Sequence, residues 1–216
     1  LRREPEPQAV VIRILQSRYF IWCLLALPIP VWLTGYARGV LFYGEVLHAS
    51  GVWSVRLLLL ALAITPLKLL LPDAVWTQWL ARRRRYLGVA ACAYAFVHAA
   101  IYLEKKAAWS VIASESLEAG MWTGWLALCV FALLAATSND ASVRRLKRRW
   151  KQLHRFVHAA AVLTFLHWFI TAFDPLPAML HASVLLLLEL ARLMRWRSNA
   201  RDRSPNRRTN NTRQRP

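Results

Sequence analysis

The chain has only three cysteines, Cys23, Cys92 and Cys129. They form no CxxC pair, which argues against zinc or thioredoxin-type chemistry. No CxxCH occurs either, which excludes haem attached through thioethers by that pattern. Each cysteine lies within an apolar stretch and reads as a small packing residue. Acid is scarce as well: 11 Asp and Glu stand against 29 Lys and Arg, a formal net charge of +18. A nucleic-acid binder with such an excess spreads its charge along polar faces around a modest core. Here 57% of the residues are hydrophobic. They fall in long blocks, and the charges fall in short bursts between them. That is how a membrane protein distributes charge, and nucleic acid is not expected as a partner.

Six apolar blocks follow one another: Tyr19–Tyr36, Val52–Leu71, Tyr86–Leu103, Met121–Thr137, Leu153–Phe173 and Ala178–Trp196. A hydrocarbon core of about 30 Å needs about 20 residues of helix at about 1.5 Å each, and every block comes near that length. Trp76, Trp79, Trp109, Trp122, Trp150 and Trp196 lie near block ends, where amphipathic rings favour the headgroup layer. The expected fold class is all-α: a polytopic membrane protein of six transmembrane helices. Residues 1–18 form an N-terminal segment, 19–196 the membrane domain and 197–216 a basic tail. The tail is nearly free of apolar residues and is expected to be disordered. The first block is read as an uncleaved helix, because no A-x-A-like site follows it.

Charge sets the orientation. Arg2, Arg3, Arg13 and Arg18 precede the first block, Arg82–Arg85 precede the third, and Arg144 to Lys151 precede the fifth. The tail carries a further basic cluster. The alternate loops have only Arg38, Lys105 and Lys106. The positive-inside rule then puts both termini in the cytoplasm. The basic clusters are explained by topology, with contact to anionic membrane lipid as a small addition.

Ionisable residues inside a bilayer are costly and tend to be functional. Counting from the cytoplasmic ends of the third and fifth blocks, His98 is about 18 Å deep and His167 about 21 Å. Two imidazoles at one level on different helices can ligate a haem iron axially. A hydrogen-bonded packing role or a proton relay is the other reading of this pair. At the inner level stand His154, 13 residues before His167, and Arg85, 13 residues before His98. That spacing turns about 140° around an ideal helix, so it fixes depth better than facing. His158 follows His154 by four residues, on the same helical face. Such a pair can bind a metal, but packing or contact with a haem edge is favoured, because no carboxylate or third ligand stands near in sequence. His48 and His181 lie in or beside the remaining loops and receive no role.

Several segments together resemble one family. Arg84-Arg85-Tyr86-Leu87-Gly88 leads to Ala95-Phe96-Val97-His98-Ala99-Ala100-Ile101-Tyr102-Leu103. Ala136-Thr137-Ser138 precedes Arg148-Arg149-Trp150-Lys151-Gln152-Leu153-His154-Arg155-Phe156-Val157, and His167-Trp168 follows. With Ile64-Thr65-Pro66-Leu67, these resemble the MsrQ (YedZ) family of the ferric-reductase-like transmembrane superfamily, over residues 55 to 190. The resemblance implies an inner-membrane haem b protein with one or two haems, and FMN as an additional cofactor. It implies electrons from the quinol pool or a cytosolic flavin reductase. It implies delivery to MsrP, a periplasmic molybdopterin enzyme that reduces methionine sulfoxide in proteins. The family's haem histidines carry over onto His98 and His167, and onto His154 for an inner haem. Arg85 stands at the inner position of the third helix, where a guanidinium suits a haem propionate. No glycine-rich phosphate loop or soluble nucleotide domain is present, so NADPH is not expected to bind. A metal reductase of the same superfamily is the alternative within redox chemistry. A proton-coupled transporter is the alternative outside it, opposed by the absence of acid within the third to fifth blocks and of an evident internal repeat.

Overall fold

The computed structural model describes residues 17–106 and 108–202. Among these, every regular element is helical: α1 (Arg18–Ala26), α2 (Pro28–Ala37), α3 (Tyr43–Leu70), α4 (Val75–Lys106), α5 (Trp109–Ser116), α6 (Ala119–Ala136), α7 (Asp140–Leu146), α8 (Arg148–Leu153), α9 (Phe156–Thr171) and α10 (Leu176–Asp202). Six stretches are long and apolar enough to cross a membrane, with α1–α2 and α8–α9 each counting as one. The chain is a multi-pass membrane protein.

Local chemistry sets the breaks. Ser17 caps α1 by accepting the Tyr19 N–H at 3.3 Å. Pro28 and Pro30 lack the N–H that would continue its ladder, so the first span restarts as α2. The Glu45 carboxylate accepts the Phe42 N–H at 2.7 Å and starts α3, where a negative charge also suits the helix dipole. Asn139 caps α7. Lys147, with φ of 50°, turns the chain between α7 and α8.

Helices α3 and α4 form the centre. Leu47 meets His98, Ser54 meets Ala91 and Thr65 meets Arg84, so the two run antiparallel. Leu57, Leu58, Ala61, Leu62 and Ile64 of α3 pack on Leu87, Ala90, Ala91, Cys92 and Tyr94 of α4. Small residues at this seam let the backbones approach closely. There the buried Ser54 hydroxyl donates to the Ala91 carbonyl at 2.8 Å. Helices α6 and α9 form a second antiparallel pair, with Gly120 meeting His167 and Ser138 meeting His154. Phe131, Ala160 and Ala161 join it to the central core. Trp53 and Tyr94 stack, and Trp32 meets both edge-on where α2 leans on the centre. One end of the bundle carries Arg82–Arg85 and the α7–α8 bases, and is called here the basic end. The other is the far end.

Several expected boundaries move. The stretch expected as a loop over 37–51 is mostly the first turns of α3. The stretch 104–120 contains α5. Helix α4 begins at Val75, so Arg82–Arg85 lie on a helix rather than before one. The reason is that a helix does not stop where the hydrocarbon does. Polar turns extend into the headgroup layer, where the Arg83 guanidinium lies 4.1 Å over the Trp79 ring. Helix α10 continues to Asp202. The remainder of the expected tail, and residues 1–16, lie outside the described residues.

Candidate functional site

His98 on α4 and His167 on α9 come together near the far end. Their ring centroids are 6.2 Å apart and their planes are inclined at 85°. Each ring is fixed through its own helix pair. His98 Nδ1 is 2.9 Å from the Leu47 carbonyl on α3, and His167 Nδ1 is 2.7 Å from the Gly120 carbonyl on α6. A carbonyl only accepts, so Nδ1 carries the proton in both rings. The lone pair of each neutral imidazole is therefore on Nε2. A metal-ligating histidine is held in this way, its second nitrogen bonded to a backbone carbonyl.

The 6.2 Å separation of the ring centroids is compatible with two imidazoles sharing one metal ion. Metal–nitrogen bonds of about 2 Å on opposite sides of an ion put the two ring centres about 6 Å apart. No group of three or more His, Cys, Asp or Glu among the described residues could hold a bare metal ion. A metal taken here has only two protein ligands and must bring the rest of its coordination with it. A porphyrin iron does so.

The basic end is arranged differently. His154 is not on a helix but in the turn between α8 and α9. Its ring stacks on Trp150 with centroids 3.8 Å apart. Both of its nitrogens have protein neighbours: Nδ1 is 3.1 Å from the Trp150 carbonyl and Nε2 is 3.3 Å from the Ser138 hydroxyl. The same hydroxyl donates to the Leu134 carbonyl at 2.7 Å. Trp150 is itself tied to the Thr137 carbonyl through its indole N–H, at 2.9 Å. Arg85 pairs with Asp140 at 2.6 Å. That guanidinium holds the Asp140 carboxyl below the usual range, through its hydrogen bond first and its charge second. The Arg85 fork thus already has a carboxylate from the protein. The turn at 154–155 also breaks the helical face expected to join His154 and His158; α9 starts only at Phe156. His158 is exposed. His181 donates to its own helix, at the Pro177 carbonyl, and packs on Trp168. His48 is exposed on α3.

Sequence reasoning missed the partners of the imidazoles. Leu47 and Gly120 give nothing away as residue types, because they act through backbone carbonyls. Gly120-x-x-x-Gly124 is legible as a small-residue packing motif. It also missed Arg56, exposed in the middle of α3, a depth at which charge is costly.

Comparison with known proteins agrees with this architecture. The family model described as ferric reductase like transmembrane component matches residues 50–165. The chain belongs to that family. It is 39% identical over 163 residues to the protein-methionine-sulfoxide reductase heme-binding subunit MsrQ of Xanthomonas axonopodis pv. citri, covering 73% of each chain. The protein of the same name from Xanthomonas oryzae pv. oryzae is 38% identical over 78% of this chain and 75% of its own. That of Brucella anthropi is 34% identical over 73% and 70%. These relatives place the chain in the MsrQ group of the family. No solved structure matches it.

Proposed function

We propose that this chain is a haem b electron-transfer subunit of the bacterial inner membrane. In this reading it passes electrons outward to MsrP, a periplasmic molybdopterin reductase of protein methionine sulfoxide. The observation that carries the reading is the facing pair His98 and His167, each with Nδ1 held by a carbonyl and Nε2 left basic. The residues present fit a haem. His98 and His167 would hold it between α4 and α9, and both stand within apolar spans. Haem supplies a one-electron couple when bound. What the chain itself supplies is two oriented imidazoles, a low-dielectric sheath and a position near the far end of the bundle. The relatives' printed names, heme-binding subunits of a methionine sulfoxide reductase, support the partnership.

The basic end is cytoplasmic in this reading, by the excess of Lys and Arg on that side. Electrons enter there, from quinol or a cytosolic flavin reductase, beside His154 and Arg85. A second haem at that level would have His154 as its one histidine, with Ser138 Oγ 3.3 Å from Nε2, and would compete with Asp140 for Arg85. No described residue is assigned to FMN. The far end carries α5, which Glu115 fastens by accepting from the Tyr102 hydroxyl at 2.6 Å and from Lys106. With the α2–α3 turn it forms the surface offered to MsrP.

The absorption spectrum of the purified protein tests the reading. A Soret band with sharp reduced α-bands is expected. A colourless protein competent in proton-coupled transport overturns it. Reporter fusions after Lys106 and Pro177 are expected to read as periplasmic, and one after Asp140 as cytoplasmic.

A further inference from the structure

The two helix pairs repeat one local device. On α3 the carbonyl that accepts from His98 belongs to Leu47, and the residue four positions on, one helical turn further, is Gly51. On α6 the carbonyl that accepts from His167 belongs to Gly120, and the residue four positions on is Gly124. In both places the Nδ1 and Cε1 atoms of the imidazole lie where a side chain would otherwise stand. A Cβ at Gly51 would come within 3.0 Å of His98 Nδ1 and 3.2 Å of its Cε1. A Cβ at Gly124 would come within 2.8 Å of His167 Nδ1 and 2.9 Å of its Cε1. Both rings are tied at Nδ1 to the same turn, so neither can retreat without lengthening the bond that sets its tautomer. Gly88 on α4, by contrast, has nothing within 4 Å of such a Cβ.

We propose that Gly51 and Gly124 are positioning residues for the two imidazoles. Each leaves a one-methyl gap beside the accepting carbonyl, and His98 or His167 fills it with Nδ1 bonded to that carbonyl. This rests on the haem reading above and adds to it the residues that set ligand geometry. A methyl group at either glycine pushes the ring off its carbonyl. It thereby tilts the ligand or frees the proton to move to Nε2, which then has no lone pair to offer. The clearances order the two sites: Gly124 is the tighter and has the larger effect.

The test uses the full chain, purified from membranes in detergent. It compares Gly124→Ala, Gly51→Ala and the control Gly88→Ala with the unsubstituted protein. Haem per protein, the low-temperature electron paramagnetic resonance of the ferric state and the midpoint potential are read for each. Gly124→Ala is expected to lower haem content several-fold and convert what is left from low-spin to high-spin. Gly51→Ala keeps more haem but shifts its low-spin signal and potential. Gly88→Ala changes nothing. Thermal melting of His167→Ala with and without Gly124→Ala separates positioning from folding, because the methyl group has room once the ring is gone. The two are expected to melt alike, whereas Gly124→Ala alone is destabilising. Wild-type haem content and signal in Gly124→Ala overturn the proposal. If that variant does not fold, a wild-type signal in Gly51→Ala overturns it. The haem reading fails separately, if the unsubstituted protein carries no haem or if His98→Ala and His167→Ala keep it unchanged.

Discussion

The far end and the basic end of the bundle both place a histidine of the fifth span opposite a residue of α4, yet they treat it in opposite ways. At the far end each imidazole makes one strong bond, to a carbonyl of a neighbouring helix, and keeps Nε2 available. At the basic end His154 sits in a turn, stacked on Trp150, with protein atoms beside both nitrogens. Its counterpart Arg85 is occupied by Asp140. All three histidines have Nδ1 beside a carbonyl, so the difference lies at Nε2: Ser138 Oγ stands 3.3 Å from it in His154, and no described residue bonds to it in His98 or His167. In the proposed reading the far-end pair would hold a haem, and His154 and Arg85 would serve electron entry at the basic end.

The largest effects come from collapsing the far end. His98→Ala and His167→Ala are each expected to abolish the low-spin haem signal, since one imidazole leaves the iron five-coordinate. Optical spectra of the purified variants check this, and a retained low-spin band in either would remove the distinction between the two ends. Next comes His154→Ala. It is expected to leave the far-end spectrum intact while removing any second, less saturated haem signal and slowing reduction from the cytoplasmic side. Stopped-flow reduction by a quinol or by a reduced flavin reads that rate. If haem content stays full while reduction slows, His154 belongs to the donor site and not to an iron. Ser138→Ala sharpens the same comparison by clearing the neighbour from Nε2, and should raise occupancy of the inner level.

A smaller effect is expected at α5. Glu115 is held below the usual carboxylate range, by its hydrogen bond from Lys106 first and from Tyr102 second. Glu115→Gln loosens the helix and should slow electron delivery to MsrP with the haem spectrum unchanged. An unaltered rate would take α5 out of the docking surface.

The smallest effect concerns the ion pair at the basic end. Asp140 has a folded pKa below its ordinary value, so its contribution is present at neutral pH and is lost as pH falls through that lowered value. Asp140→Asn should melt slightly lower than the parent near neutrality. The two melting curves should converge on acidification. Curves that stay apart at low pH would mean that the Asn side chain itself perturbs the turn.

Much of this is legible in the sequence. Apolar blocks gave six spans, and counting along them put His98 and His167 at one depth. Depth is legible because helical rise is constant. Facing was not, and neither were the carbonyls of Leu47 and Gly120, because backbone acceptors leave no trace in residue type. The helical turns at Tyr43–Gly51 and Val75–Arg85 were missed because polar helix in the headgroup layer lacks the apolar signal used to find spans. The Arg85–Asp140 pair joins residues 55 positions apart, and only packing brings them together.

The proposed haem site rests on His98 and His167, whose ring planes stand nearly at right angles. Two imidazoles on one iron would give the ferric haem a low-spin signal. Low-temperature electron paramagnetic resonance of the ferric protein measures this directly. The account predicts that signal in the unsubstituted protein and its loss in both His98→Ala and His167→Ala. A haem whose low-spin signal survives either substitution would contradict it.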